Sequence, residues 1–395
     1  MDPFTILKQL AYTGKAFKEN EPGSREALIT QSRALIAALE LPSEFIQHTF
    51  WAEPAQSAIL RLAVDVRLFQ HLKEAPPKGL SPVALSKKTG VEVDLLVRLS
   101  RHLVAMNILA FHSGTFHGTA LSNSLAVERY QDSILHCYNA MRPALNEIPA
   151  YFKKVAYRSP TSGGTDGIFQ DAHGTDLGFF DWIVATPPQL RHFYSFMSTY
   201  HTGKSWFEEG FYPVSQRLIC GFDVEVGDAL LVDVGGGRGH DVAAFVGVYG
   251  NLPGKVVLQD RKPVIAGISN GAVGRAFEVQ AYDFFTPQPV KGARAYSLHS
   301  ILHDWCDKDA VRILGNLVPA LVRSYSRVLL NEIVLSEAKP TLATTSMDMI
   351  MLSHFGVRER TEVEWRRILE QVGLRVIGIY TYPGVAESLI EAELA

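Results

Sequence analysis

The sequence predicts an α/β protein, with an N-terminal helical region of winged-helix character followed by a domain built on a mostly parallel sheet. Three observations carry this expectation. Apolar residues recur at helical spacing from about residue 24 to 75. A helix, turn, helix and two-strand run comes next. From about Gly221, short β-rich runs alternate with helical patterns. The chain has 395 residues, 47% of them apolar and 20% charged, enough for two domains that each bury a core.

In chain order, "REALITQSRALIAALE" and "SAILRLAVDVRLFQHL" show the apolar stripes of helices, interrupted at "LPSEF" and "AEPAQ". After "EAPPKG", the run "LSPVALSKKTGVEVDLLVRLSRHLVAMNILAFHSGTFHG" reads as helix, turn, helix and two strands around His112-Ser113-Gly114, the order of a winged helix. Winged helices often read DNA. Here the second helix carries Asp94, Leu95, Leu96, Leu99 and Leu103, which suit packing, and Lys87 and Lys88 lie only at the end of the first. An interaction or dimerisation role is therefore favoured over groove reading. Residues 126–204 stay helical except for the Gly-, Ser- and Thr-rich stretch 158–176, expected to be a surface loop near a substrate entrance. Strands are expected at "ALLVDVG", "KVVLQD", "FEVQAYD", "ARAYSLHS", "RVLLNEIVL" and "LRVIGIYTY".

Composition narrows the function classes. A net charge of −3 gives no overall drive toward nucleic acid or anionic membranes. Cys137, Cys220 and Cys306 are odd in number and far apart, so neither a disulfide framework nor a zinc site is expected. That fits a reducing cytoplasm. No export signal or membrane span is expected, because no apolar run approaches about 18 residues.

The stretch "LLVDVGGGRGHDVAAF" places an apolar strand before a glycine cluster and a helix beginning near Arg238 or Gly239. Glycines let the backbone approach a ligand, and the helix N-terminus presents free N–H groups. A dinucleotide fingerprint starting at Gly235 would need a glycine at position 240, where His240 stands; the third glycine is Gly239. Asp233 inside the strand also departs from that pattern. Asp260 ends the next strand, where an acid can accept from ribose hydroxyls or, alternatively, cap the helix containing "PVIAGI". Asp283 and Phe284 follow a third strand and offer an acid and an aromatic face for a purine.

With these motifs the chain resembles the class I S-adenosylmethionine-dependent O-methyltransferases of the plant caffeate and fungal natural-product type. The resemblance rests on "WAEPAQSAILRLAVDVRLF", the winged-helix run, "VDVGGGRGH", "LQD", "YDFF", "LHSILHDWCD", "LLNEIVL" and "RERTEVEWRRILEQVGL", which span most of the chain. It implies a seven-stranded Rossmann-like methyltransferase domain over about residues 206–395 and a dimerisation domain over 1–125. A helical connector at 126–205 would line the substrate pocket. It implies S-adenosylmethionine as cofactor, with Asp233, Gly235, Gly236 and Gly237 bordering its methionine part, Asp260 its ribose, and Asp283 and Phe284 its adenine. His299 stands where family members commonly carry Arg or Lys near the cofactor. A small aromatic or polyketide-derived substrate and a homodimer are implied, and no nucleic acid, membrane or metal.

For methyl transfer the protein positions an acceptor and manages its proton. In the resembled family the base is the histidine of the "HDW" element, here His303, and Glu332 and Glu359 match the positions flanking it. An imidazole of ordinary pKa about 6.5 can accept a proton at cellular pH. Read from the residues alone, His303 could instead cap the following helix, a role that Asp304 or Asp307 fits better. The family match places His136, Met197, Met351 and Phe355 around the acceptor. The same fungal subgroup resembles enzymes that keep the fold and cofactor while catalysing dehydration and pericyclic ring formation. That branch tends to replace the base by another cationic residue, and the retention of His303 favours methyl transfer.

Overall fold

The computed structural model describes residues 2–160, 166–200, 204–268 and 276–395. The chain folds into two compact units, one from residues 1–147 and 172–202, the other from 148–171 and 203–395.

The first unit is helical, with one hairpin. The expected break at "LPSEF" is observed, since the helix Ser24–Leu39 gives way to extended Glu40 and Leu41 before Pro42 opens the helix Pro42–Gln47; that at "AEPAQ" is instead helical, with Pro54 in the first turn of Glu53–Asp65 and a π segment His48–Ala52 leading into it. Proline is tolerated in a first helical turn because the N–H it lacks has no intrahelical partner there. The winged-helix order is observed. Helices Pro82–Thr89 and Val93–Ala105 precede β1 (Leu109–His112) and β2 (Thr115–Gly118), which pair antiparallel. Ser113 and Gly114 take positive φ at the turn. Leu80, Leu85, Leu96, Leu103 and Phe116 form the core beneath them, as the leucine-rich second helix predicts. Ahead of this core, Phe4, Tyr12, Leu39, Leu41, Phe50 and Trp51 are all at least 60% exposed.

The second unit holds the sheet. Strands β3 (Ala229–Val234), β4 (Lys255–Asp260), β5 (Glu278–Ala281), β6 (Ala295–His299) and β7 (Arg327–Leu335) run parallel; β8 (Arg360–Thr361) adds a short parallel pairing to β7. The remaining strands are β9 (Leu374–Thr381) and β10 (Glu387–Leu394), and the order is β5-β4-β3-β6-β7-β10-β9. β10 is antiparallel to both its neighbours. This is the expected seven-strand Rossmann-like path, with β3 and β6 lying side by side at its centre.

Alternation along the strands builds a core on each face. Val232, Tyr296, Leu330 and Ile390 pack with Leu314, Trp365 and Ile368 on one side; Leu231, Ala295, Leu329 and Leu389 pack with Trp206, Tyr212 and Phe245 on the other. The strand β10 was not expected from its sequence, because "ESLIEAEL" carries three acids. Those acids are buried and paired: Glu391 with Arg217 and Arg327, Glu393 with Arg327 and Arg375. A buried carboxylate is tolerable when such partners replace its water.

The stretch 158–176 is not a plain loop. Residues 161–165 lie outside the described residues, but Ile168–His173 is a helix that buries Ile168, Phe169 and Gln170, with the Phe169 ring 5.5 Å from that of His354. The surrounding Gly, Ser and Thr residues hid the short apolar run.

Candidate active site

At the carboxyl end of β6 the chain turns sharply. Ser300 has a φ of 50°, and Leu302–Asp304 form a single 3-10 turn carrying His303. The imidazole is buried. Its Nδ1 lies 2.9 Å from Oε1 of Glu359, a hydrogen bond that assigns the proton to Nδ1. Nε2 is 3.6 Å from Oδ1 of Asp304, beyond hydrogen-bond distance. Burial alone would depress the imidazole's pKa. The carboxylates of Asp304, Glu359 and Glu332 outweigh it and hold the ring up at about 10. In the same cluster, burial raises Glu332 to about 7 and Asp304 to about 6, each opposed by the His303 charge.

Glu332 acts on the turn through its backbone. Its Oε1 accepts from the N–H groups of Ile301, at 3.0 Å, and Leu302, at 2.7 Å, while its buried Oε2 has no partner among the described residues. Asp304 does not cap the next helix. That helix, Asp307–Leu317, has Cys306 at its N-cap, and the Cys306 thiol donates to Asp309. Two residues absent from the sequence expectations complete the cluster. Asp348 accepts the N–H of Glu359 at 2.8 Å, and the Arg360 guanidinium donates to the carbonyls of Leu302 and Trp305. Asp348 is a lone acid in the apolar run "MDMIML", and Arg360 one charge among several in "RERTEVE". The one available signal for Arg360 was its place beside Glu359, directly before the helix cap Thr361.

The cofactor expectations converge on the neighbouring strand ends. Gly235, Gly237 and Gly239 have positive φ, and the helix His240–Tyr249 begins just after the expected Arg238 or Gly239, with Gly239 as its N-cap. A Cβ at Gly236 would overlap Asp233 and lie 2.6 Å from Leu258; one at Gly235 would lie 2.6 Å from Ile301 and 3.9 Å from Phe284. A Cβ at Gly237 would meet open space. Asp260 accepts from the Gly237 N–H through Oδ2 and the Arg261 N–H through Oδ1, leaving each oxygen a second lone pair. The cap alternative fails, since the helix Lys262–Ala266 is preceded by Arg261 at its N-cap. Phe284 packs edge-on to Trp305 at 5.8 Å, and Asp283, exposed, accepts the Phe285 N–H. Asp233 is buried with Oδ2 unpartnered among the described residues, and burial together with Asp241 and Asp260 pushes its carboxyl up to about 8, opposed by His299.

A glycine turn opening on free space, a half-satisfied Asp260 and an aromatic wall fit a nucleoside-bearing ligand such as S-adenosylmethionine. His299 fits less directly. Its Nδ1 is 2.5 Å from Asp241 and its Nε2 3.1 Å from Glu387, so both nitrogens are engaged by carboxylates of the protein. Burial opposes its charge, but those two acids hold its pKa well above the ordinary value.

Of the expected pocket residues, Met351 and Phe355 lie on the helix Leu342–Phe355, which packs against the His303 turn and presents Asp348 three residues before Met351. Met351 is buried. His136 and Met197 belong to the first unit. There His136 is buried among Phe179, Phe193 and Phe196, with ring centroids 5.0 to 6.1 Å away, and Met197 sits partly buried on the helix Gln189–Tyr200.

Comparison with known proteins identifies the family. A family model described as an O-methyltransferase domain matches residues 161–375, and one described as an O-methyltransferase dimerisation domain matches 53–128. The O-methyltransferase mpaG of Penicillium roqueforti is 59% identical over 392 residues, 99% of this chain and 98% of its own. That of Penicillium brevicompactum is 57% identical over 394 residues, 100% of this chain and 99% of its own. A solved structure of LepI complexed with SAM superposes with a TM-score of 0.89 at 26% identity, covering 99% of both chains, as does a structure described as a pericyclic reaction enzyme. OxaC bound to SAH and oxaline shares the fold, with a TM-score of 0.83 at 22% identity over 100% of this chain and 99% of its own. The chain belongs to the S-adenosylmethionine-dependent O-methyltransferase family, with the family's dimerisation domain ahead of its catalytic domain.

Proposed function

We propose that the enzyme methylates a phenolic or enolic hydroxyl of an aromatic or polyketide-derived metabolite, with His303 as the general base. The observation that carries this reading is the hydrogen bond between His303 Nδ1 and Glu359, which commits one nitrogen to the protein; Nε2, 3.6 Å from Asp304 and not hydrogen-bonded to it, would take the acceptor's proton. Bound S-adenosylmethionine supplies an electrophilic methyl group on a sulfonium. The turn at Gly235–Gly237 would border its methionine part, Asp260 would accept from its ribose, and Asp283 and Phe284 would flank its adenine. His299 then serves as a buried cation balancing Asp241 and Glu387.

The base must take one proton. An imidazole held at about 10 matches a phenol of pKa about 10, so proton transfer between them is nearly balanced. Glu359 stabilises the imidazolium that results, and Glu332 fixes the turn that aims it. Met351 and Phe355 would offer apolar contacts to the acceptor; for His136 and Met197 the substrate-binding role rests on the family likeness alone. The exposed apolar side chains of the first 52 residues, together with the dimerisation-domain match, support a homodimer. No helix of the described residues is long and apolar enough to cross a membrane. The widely spaced cysteines, all unbridged, support a cytoplasmic location.

Incubation with methyl-labelled S-adenosylmethionine and a panel of phenolic polyketides tests the reading, with label transfer expected. A second reading, dehydration or ring formation around an unconsumed cofactor, is favoured only by the likeness to a pericyclic reaction enzyme. Substrate conversion with the cofactor recovered intact would establish it and sink methyl transfer.

A further inference from the structure

We propose that Arg360 is a positioning residue for the base, fixing the turn that carries His303 so that its imidazole stays against Glu359 and presents Nε2 to the acceptor. This rests on the reading of His303 as the base of methyl transfer.

Arg360 is 1% exposed, and a buried guanidinium is costly unless its donors are matched. Here they are matched by atoms that bracket His303. Nη1 donates to the carbonyl of Leu302 at 2.8 Å and Nη2 to that of Trp305 at 2.6 Å, one residue before and two after the base. Nε donates to Asp307 Oδ1 at 3.0 Å, and the guanidinium lies 5.0 Å from the Trp365 ring centroid. The donor end of the same turn, the N–H groups of Ile301 and Leu302, is held by Glu332. A carboxylate thus satisfies the turn's free donors and a guanidinium its free acceptors.

Arg360 is also bound to the orienting acid by a single peptide link. The backbone at Arg360 and Thr361 pairs with Val334 and Leu335 of β7, the strand that bears Glu332 two residues earlier. Glu359, Arg360 and Glu332 therefore reach the base from one rigid edge. Lysine cannot replace this geometry, since a guanidinium fork spans two carbonyls and an ammonium is a point donor.

The test uses the full-length enzyme with an accepted phenol and labelled cofactor. For Arg360→Lys, kcat is expected to fall about tenfold to a hundredfold, the scale of a misplacement near 1 Å, while calorimetric affinity for S-adenosylhomocysteine stays within about twofold. The acid limb of kcat/KM is also expected to move to lower pH as His303 loosens from Glu359, with Asp304 and Glu332 still facing it. Asp307→Asn weakens one of the three Arg360 contacts without unburying the cation. It should move kcat and the limb in the same direction, by less, and it carries the test if Arg360→Lys does not fold. Lowered thermal stability with unchanged kcat and an unmoved limb would reduce Arg360 to a structural residue and overturn the proposal. His303→Ala separates the two claims. Turnover that survives it sinks the base itself, whereas turnover lost in His303→Ala but intact in the folded Arg360 and Asp307 variants sinks only the positioning role.

Discussion

Replacing Glu359 by Gln removes one charge beside the base while keeping its hydrogen bond, because the amide oxygen can still accept from His303 Nδ1. The contact is 2.9 Å between atoms, with charge centres about 4 Å apart. At an effective dielectric constant of about 20, that charge is worth about 4 kcal/mol to the imidazolium, or about three pKa units. The imidazole should fall from about 10 to about 7, still held by Asp304 and Glu332. The direction of the rate change follows from which form is active. In the parent enzyme the unprotonated base grows with pH until about 10, so kcat/KM for a phenol should rise tenfold per pH unit through the neutral range. In Glu359→Gln the rise should level off near pH 7. Because the parent's folded imidazole binds its proton more tightly than the variant's, the parent's stability advantage over the variant is full below about pH 7. It is lost as pH climbs through about 10. A folded variant whose kcat/KM still climbs to pH 10 would refute the reading that the Glu359 charge raises the base.

Other expectations follow from the same geometry. Gly236→Ala drives a methyl group against Asp233 and Leu258, so affinity for S-adenosylhomocysteine should drop more than tenfold by calorimetry; unchanged binding would remove this turn from the cofactor site. Burial raises Asp233 to about 8, so its ionisation costs stability as pH rises from about 4 toward 8. The cofactor-free Asp233→Asn variant should accordingly gain melting temperature over the parent along that range, and a pH-independent difference would contradict the burial. Glu332→Leu orphans the buried N–H groups of Ile301 and Leu302, at about 1 to 3 kcal/mol each, and should lower unfolding free energy in urea by about 2 to 6 kcal/mol. A loss below about 1 kcal/mol would show the turn to be held elsewhere.

What the sequence revealed depended on how local each signal was. The strands β3, β4, β6 and β7 were legible because they are buried on both faces and read as continuous apolar runs. The glycine turn was legible because its backbone needs positive φ. β10 was hidden, since its acids look like surface until Arg217, Arg327 and Arg375 arrive from distant positions to neutralise them. The pairing of His303 with Glu359 was implied by family likeness, but its form was not: Glu359 touches the ring, while Glu332 touches only the backbone beneath it. Arg360 escaped notice for the same reason as β10, because a charge in a charge-rich run declares itself buried only once its neighbours are known.

The position of β10 bears on when the site comes into existence during synthesis. The strand lies between β7 and β9, so the hairpin β9–β10 joins the sheet through β10 alone. Its first residue, Glu387, supplies an acid to His299 and another bond to Ser300, the residue that bends the chain toward His303. A nascent chain that has emerged only as far as residue 386 already holds His303, Glu332, Glu359 and the glycine turn, yet lacks the clasp beneath them. Completion of the site therefore waits on β10, which follows every other site residue in the chain, and a chain truncated after residue 386 should not retain cofactor.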